Sequence, residues 1–113
     1  MPLFGPPNIE KMKEKGDIKG LIKALQHKNG PTTYQAAKAL GELYGHKDAA
    51  QAIAPLIQFL TRKELWYLDI KVAISSLGKI CIPLKDTRGI TALLPMLANR
   101  NADVRQEATI VLG

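Results

Sequence analysis

Three eight-residue stretches of this chain share one apolar pattern, and that pattern decides the fold. Residues 18–25 read IKGLIKAL, residues 53–60 read IAPLIQFL and residues 90–97 read ITALLPML. In each stretch, apolar residues occupy the first, fourth, fifth and eighth positions, a spacing that places them on one face of an α-helix. A half-buried β-strand would alternate apolar and polar residues, and none of the three stretches does so. The pattern therefore predicts three equivalent amphipathic helices.

A second motif follows each of these predicted helices. Residues 36–41 read AAKALG, residues 73–78 read AISSLG and residues 108–113 read ATIVLG. The alanine and the leucine share a helical face, whereas the final glycine costs a helix about 1 kcal/mol relative to alanine. Because this cost recurs, we expect each glycine to mark either a close approach of a neighbouring helix or the end of its own helix. The three leucines are 37 and 35 residues apart, which is the interval of a helical repeat.

Together the two motifs predict an all-α fold, an α-solenoid of stacked antiparallel helix pairs with about three pairs behind a short N-terminal capping helix. The predicted helices cover residues 9–15, 18–28, 32–44, 49–61, 64–80, 87–98 and 102–112. The predicted domains are a capping segment, 1–16, and a repeat domain, 17–113, with units of about 17–45, 46–82 and 83–113. The predicted core consists of Leu21, Leu25, Ala36, Leu40, Leu56, Leu60, Ala73, Leu77, Leu93, Leu97 and Leu112.

Capping residues set the expected helix boundaries. Asn8 and Asp17 are expected N-caps, because a short side-chain oxygen can accept a hydrogen bond from the first helical turn. After the Asn-Gly-Pro break, Thr32 or Thr33 is expected to open the next helix. Pro83 is expected to end the helix before it, because proline has no N–H to donate.

The repeats resemble a known family. The stretch PLIQFL at residues 55–60 and the stretch VRQEATIVLG at residues 104–113 resemble HEAT repeats of the phycobilisome-lyase type, and the resemblance extends over nearly the whole chain from Asp17. It implies two stacked layers of helices in a HEAT/armadillo-like superhelix, with the second helix of each pair lining the concave face. The shared motif is one of packing, so the family implies no particular activity.

Composition bounds the possible partners and the compartment. The formal charge is +6, from 16 Lys and Arg against 10 Asp and Glu, which could attract nucleic acid, an acidic protein or anionic lipid, or could serve solubility alone. The longest stretch without a charged residue, 49–61, is too short to span a bilayer, and no leader peptide is visible. Cys81 is the single cysteine, so no intrachain disulfide can form. We expect a cytoplasmic protein with no membrane partner.

Residues for catalysis or for a cofactor are hard to find. His27 falls at the end of a predicted helix and His46 in a predicted turn, and Cys81 falls on an apolar helical face, where an inert thiol is the ordinary interpretation. Neither a His-x-x-x-His pair nor a Cys-x-x-Cys pair is present, and no glycine-rich phosphate loop occurs. We therefore predict no catalytic residue, no metal and no cofactor.

Two groups of residues are candidates for binding a partner. Trp66 and Tyr67 sit where the middle repeat is longer, and they could anchor a partner or fill the gap that the longer connection opens. The favoured interpretation places Trp66 in the core and Tyr67 at the surface. The second group, on the second helices, would give a concave face a positive bias interrupted by two glutamates; its members are Lys38, Lys71, Lys79 and Arg105, with Glu42 and Glu107 between them.

These features favour a non-catalytic scaffold that binds another protein of unknown identity. Nucleic-acid binding through the basic residues is the alternative, and a bilin lyase-like chaperone is a second alternative implied by the family resemblance alone. The last apolar motif adds an expectation about self-association. Its residues Ala108, Ile110, Val111 and Leu112 have no following repeat in this sequence, so we expect either a longer array or a second copy to cover this flank.

Overall fold

The computed structural model describes residues 8–113, and no strand occurs among them. The helices are α1 (Ile9–Lys15), α2 (Ile18–Leu25), α3 (Gly30–Glu42), α4 (Ile53–Phe59), α5 (Tyr67–Leu84), α6 (Thr87–Leu93) and α7 (Ala102–Leu112). The same described residues contain two 3₁₀ segments, Ala49–Ala52 before α4 and Leu94–Ala98 after α6. The predicted all-α class is confirmed. Residues 1–7 of the predicted capping segment lie outside the described part, and the predicted unit boundaries stay a prediction.

The predicted N-caps of the first two helices are confirmed. The side chain of Asn8 accepts a hydrogen bond from the Lys11 N–H at 3.1 Å. The side chain of Asp17 accepts one from the Gly20 N–H at 2.9 Å. Each bond satisfies a donor of the first turn that has no partner within the helix.

The predicted start of α3 at Thr32 or Thr33 is wrong. The cap is Asn29, whose side chain accepts from the Thr32 N–H at 3.0 Å, so the helix already begins at Gly30. Pro31 is then in the first turn, where proline is tolerated because its missing N–H would have no intrahelical partner.

The expectation that Pro83 ends α5 is also wrong, since the helix continues to Leu84. A proline in the last turn removes one backbone hydrogen bond but leaves those before it intact. The helix instead ends at Lys85, which adopts a left-handed conformation with φ 55°, and the Lys85 N–H bonds to the Ile82 carbonyl at 3.0 Å. Glycine usually occupies such a C-terminal position, as Gly16 does after α1.

The helices form two layers around one core. In the first-helix layer, α4 packs between α2 and α6; in the second-helix layer, which consists of α3, α5 and α7, α5 packs between the other two. α1 packs against α2 and α3 at one end. The Cα atoms extend over 44 × 30 × 17 Å, so the molecule is a slab about two helices thick.

Most of the predicted core is buried. Leu60 and Leu112 are only partly buried, and Leu97 is wrongly placed in the core, because its side chain is 42% exposed. The reason is the 3₁₀ segment Leu94–Ala98, which has three residues per turn and so rotates Leu97 off the apolar face of α6. The confirmed core residues are Leu21, Leu25, Ala36, Leu40, Leu56, Ala73, Leu77 and Leu93.

The recurring motif glycine marks a close approach of neighbouring second helices. A methyl group built at Gly41 in α3 would overlap Ser76 of α5, and one built at Gly78 in α5 would overlap Val111 of α7. Ser76 and Val111 each precede the motif leucine of their own repeat, so both contacts follow one rule. The hydroxyl of Ser76 also donates to the Ala37 carbonyl at 2.6 Å, which joins α5 to α3 in the buried interior. Of the two explanations offered by the sequence, close approach holds at both positions.

Candidate binding surface

The structure places two of the predicted lysines on one exposed line of α5. Lys71 and Lys79 belong to a series spaced by three or four residues, the spacing that keeps side chains on one helical face. We call this series the α5 ridge. Its members are Leu68, Lys71, Ser75, Lys79 and Ile82, all exposed or partly exposed.

At the C-terminal end of the α5 ridge lies an open groove of about 440 Å³ between α5 and α7. Tyr44, which follows α3, is 57% exposed in the groove, and Ile82 and Ile110 are 41% and 66% exposed. Large apolar side chains gathered at a concave site are typical of a surface that a partner covers. We call this the α5–α7 groove. Its lining is Tyr44, Ser75, Gly78, Lys79, Ile82, Pro83, Glu107, Ile110 and Val111.

Sequence reasoning missed the α5–α7 groove, although a weak signal exists. Tyr44 and Ile82 come three and four residues after the motif glycines Gly41 and Gly78, where they fall outside the periodic apolar stripe. A large apolar residue that falls outside the stripe near the end of its helix indicates a surface role, and this occurs in two repeats although the positions differ by one residue. Ile110 was assigned to the uncovered flank of the last motif, but it faces the groove.

The other members of that predicted flank are less open than expected. Ala108 is fully buried, and Val111 is partly buried against Gly78 of α5, so the expectation that both are uncovered is wrong. Leu112 is also partly buried against the core. The α7 face that carries these residues packs on α5 within the same chain.

Two further surface depressions are lined by charged side chains that already interact with other residues of the chain. Between α1 and α3, the Lys13 ammonium pairs with Glu42 at 3.1 Å and with Glu10 at 3.6 Å, and these contacts raise the pKa of Lys13, the hydrogen bond to Glu42 most of all. Between α2 and α4, the Arg62 guanidinium lies 5.4 Å from the centre of the Phe59 ring and donates to the Leu25 carbonyl at 3.3 Å.

The lysines of the second-helix layer form no ion pairs among residues 8–113. Glu42, expected to interrupt the basic patch, is paired with Lys13. Within residues 8–113, Lys38, Lys71 and Lys79 form no ion pair, and neither does Glu107. Lys38 lies on α3, in the depression beside α1. The side chains of α3, α5 and α7 that form no ion pair within the described part of the chain are four cations and three anions, so this layer carries only a small positive excess: Lys38, Lys71, Lys79 and Arg105 against Asp69, Asp103 and Glu107.

Arg105 does not belong to the same surface. Its guanidinium donates to the carbonyls of Asn99 and Arg100 at 2.7 and 3.0 Å, which fixes the turn before α7. Arg105 is two residues from Glu107, and that interval places the two side chains on roughly opposite sides of the helix. The structure thus brings Lys71 and Lys79 together and directs Arg105 elsewhere.

Trp66 is not a core residue. Its side chain is 72% exposed, so the interpretation that it fills the gap beside the longer connection is wrong. Leu65 packs against the core instead. The Trp66 N–H donates to the Asp69 carboxylate at 3.2 Å, which caps the start of α5. Tyr67 is 40% exposed, as expected. The exposed side chains of Trp66 and Tyr67 precede Leu68, the first residue of the α5 ridge.

The two histidines stabilise turns, and the cysteine is buried. Nδ1 of His27 accepts from the Asn29 N–H, and Nδ1 of His46 accepts from the Asp48 N–H, each at 3.1 Å in a turn. The Cys81 thiol is buried, and burial, with a smaller effect of the Asp86 charge, raises its pKa. Among residues 8–113, no three His, Cys, Asp or Glu side chains are grouped so as to hold a metal ion.

Comparison with known families agrees with the repeat and the two helical layers. A family model described as HEAT repeats matches residues 18–113. The chain belongs to the HEAT-repeat family. No curated protein matches this HEAT-repeat chain. Within the described part of the chain, no helix combines the length and the apolar character needed to cross a bilayer.

Proposed function

We propose that this HEAT-repeat protein is a non-catalytic scaffold that binds another protein through its second-helix layer. The observation that carries the proposal is the α5–α7 groove, where Tyr44, Ile82 and Ile110 expose large apolar side chains at one concave site. HEAT repeats generally act as protein-interaction scaffolds. The chemistry of the groove fits that role, because an aromatic and two branched aliphatic side chains can bury the apolar anchor of a partner. The single buried thiol of Cys81 suits the reducing cytoplasm, where we place the protein.

Selection from a random-peptide display library tests the scaffold proposal. We expect enriched peptides whose affinity falls by about tenfold or more in Ile110→Glu, because a carboxylate replaces an apolar side chain in the lining of the groove. Leu94→Glu is the matched control, since Leu94 is 53% exposed in the first-helix layer. Fluorescence anisotropy measures both affinities. Absence of any enriched peptide, or equal binding by the two variants, would contradict the proposal.

Nucleic-acid binding is the alternative function, and the unpaired lysines Lys38, Lys71 and Lys79 support it. A phosphate-binding surface would show affinity that falls steeply as salt rises, because bound counterions are released. The apolar lining of the groove and the unpaired Glu107 favour a protein partner instead. A mobility-shift titration with duplex and single strands at low salt separates the two functions.

A bilin lyase-like chaperone is a second alternative, and it follows from the resemblance to the phycobilisome-lyase type of HEAT repeat alone. No residue described above supplies a bilin site. Co-purification of colour after co-expression with a bilin donor would support this alternative.

Self-association is a further part of the proposal, and its expected contact is Ile110, which belongs both to the predicted terminal flank and to the α5–α7 groove. A second copy could cover Ile110, which is 66% exposed. We expect the sedimentation coefficient to rise with concentration and Ile110→Lys to shift the equilibrium towards monomer with unchanged helix content. Sedimentation velocity and circular dichroism measure these quantities, and a monomer at every concentration would contradict self-association.

A further inference from the structure

We propose that the α5 ridge and the α5–α7 groove recognise an extended acidic segment of a partner protein, in which a bulky apolar side chain follows the carboxylates. The inference rests on the proposed scaffold function and names the chemistry of the partner. The carboxylates pair with Lys71 and Lys79, and the apolar side chain enters the groove among Tyr44, Ile82 and Ile110.

Charge complementarity selects an acidic partner. Lys71 and Lys79 are the two charged residues of the α5 ridge, and only the small Ser75 lies between them on the ridge. Neither lysine has an ion-pair partner among residues 8–113. Asp69, two residues before Lys71 on α5, accepts a hydrogen bond from the Trp66 N–H at 3.2 Å, and Glu42 of α3 is paired with Lys13 at 3.1 Å. The chain as a whole carries +6, which attracts acidic segments at longer range.

The spacing along α5 sets the register of the partner. Lys71 and Lys79 are separated by two helical turns, roughly 12 Å at 1.5 Å per residue. An extended chain advances about 3.3 Å per residue, so its two acidic side chains should be about three or four residues apart. Ile82 is about 4.5 Å beyond Lys79 along α5, so the apolar residue should come one or two positions after the second acidic residue.

The groove discriminates between a protein segment and nucleic acid. A phosphodiester backbone carries a charge at every nucleotide; its bases can stack on Tyr44, but nucleic acid has no aliphatic side chain to place beside Ile82 and Ile110. It would also bring charge towards the Glu107 carboxylate, which lines the groove opposite Lys79. A protein segment can confine its carboxylates to the lysine ridge and present an apolar or basic residue near Glu107.

The composition of peptides enriched in the display selection tests this chemistry. We expect paired Asp or Glu residues at the stated spacing followed by Leu, Ile, Phe or Trp. A labelled peptide from the enriched set should bind Lys79→Glu about tenfold or more weakly, because a repulsive pair replaces an attractive one. Lys19→Glu, the same charge change on the exposed surface of α2, should keep affinity within about threefold. Lys79→Gln provides a milder variant that removes the charge without adding repulsion.

The outcomes separate this inference from the scaffold proposal. Two outcomes would overturn the acidic partner but not the scaffold proposal. In the first, the enriched peptides are neutral or basic. In the second, they bind Lys79→Glu and wild type equally but lose affinity for Ile110→Glu. No enriched peptide at all would overturn both. Tighter, Lys79-dependent binding of single-stranded DNA than of the peptide would assign the lysine ridge to nucleic acid and overturn the inference.

Discussion

Leu77→Ala is expected to lower the free energy of unfolding by about 2–5 kcal/mol, the range for large-to-small changes in a packed core. Leu77 is fully buried in α5, and α5 contacts both other second helices as well as α4 and α6. The cavity left by the shorter side chain would therefore lie where several helices meet and could not collapse by the movement of one of them. The midpoint of urea unfolding, followed by circular dichroism, gives the change.

Lys71→Ala is the matched control for this prediction, because it changes the same helix on its partly exposed ridge. We expect its effect on the free energy of unfolding to stay within about 0.5 kcal/mol, as for most surface substitutions. If Lys71→Ala proved more destabilising than Leu77→Ala, the assignment of buried and exposed faces of α5 would be wrong.

Gly41→Ala is expected to destabilise the fold by up to about 2 kcal/mol, because overpacking costs about 1–3 kcal/mol and alanine recovers about 1 kcal/mol of helix propensity. An added Cβ would lie 2.7 Å from the Ser76 Cβ and 2.8 Å from its Cα. Because the Cα belongs to the backbone of α5, no rotamer change relieves the overlap, and the two helices must separate. The separation would also stretch the hydrogen bond from Ser76 to the Ala37 carbonyl.

Gly45→Ala provides the comparison for Gly41→Ala, since a methyl group built at Gly45 meets nothing within 4 Å. It should change the unfolding free energy by no more than about 0.5 kcal/mol. Thermal unfolding of the two variants side by side measures the difference. Equal stability would mean that the spacing of α3 and α5 can adjust without cost, and the close approach would not explain the motif glycine.

The sequence predicted the helical repeat well because apolar periodicity reports directly which residues a helix buries. The recurring positions of Leu21, Leu56 and Leu93 and of Leu40 and Leu77 were enough to predict the helices and their pairing, whereas the two layers followed from the family resemblance. Boundaries with an Asx cap, such as Asn8 and Asp17, were equally predictable, since the capping bond is local. The boundary at Lys85 was not, because lysine seldom adopts a left-handed conformation.

The binding surface was only partly predictable, because it depends on how repeats pack on one another. Lys71 and Lys79 share a ridge that helical spacing alone reveals, whereas the groove needs Tyr44 from one repeat beside Ile110 from another. The core interpretation of Trp66 assumed a gap beside the longer connection, whereas Leu65 packs against the core there and Trp66 stays exposed. The pairing of Glu42 with Lys13 connects residues 29 apart and has no local signature.

Cys81 gives the molecule a natural reporter of local opening. Its sulfur packs against Gly89 of α6, and the raised pKa of the buried thiol keeps it protonated and unreactive at neutral pH. A thiol reagent can modify it only when α6 lifts from α5 or when the whole chain unfolds. The labelling rate, measured as denaturant is added, would therefore report how often α6 detaches from α5, without any engineered probe.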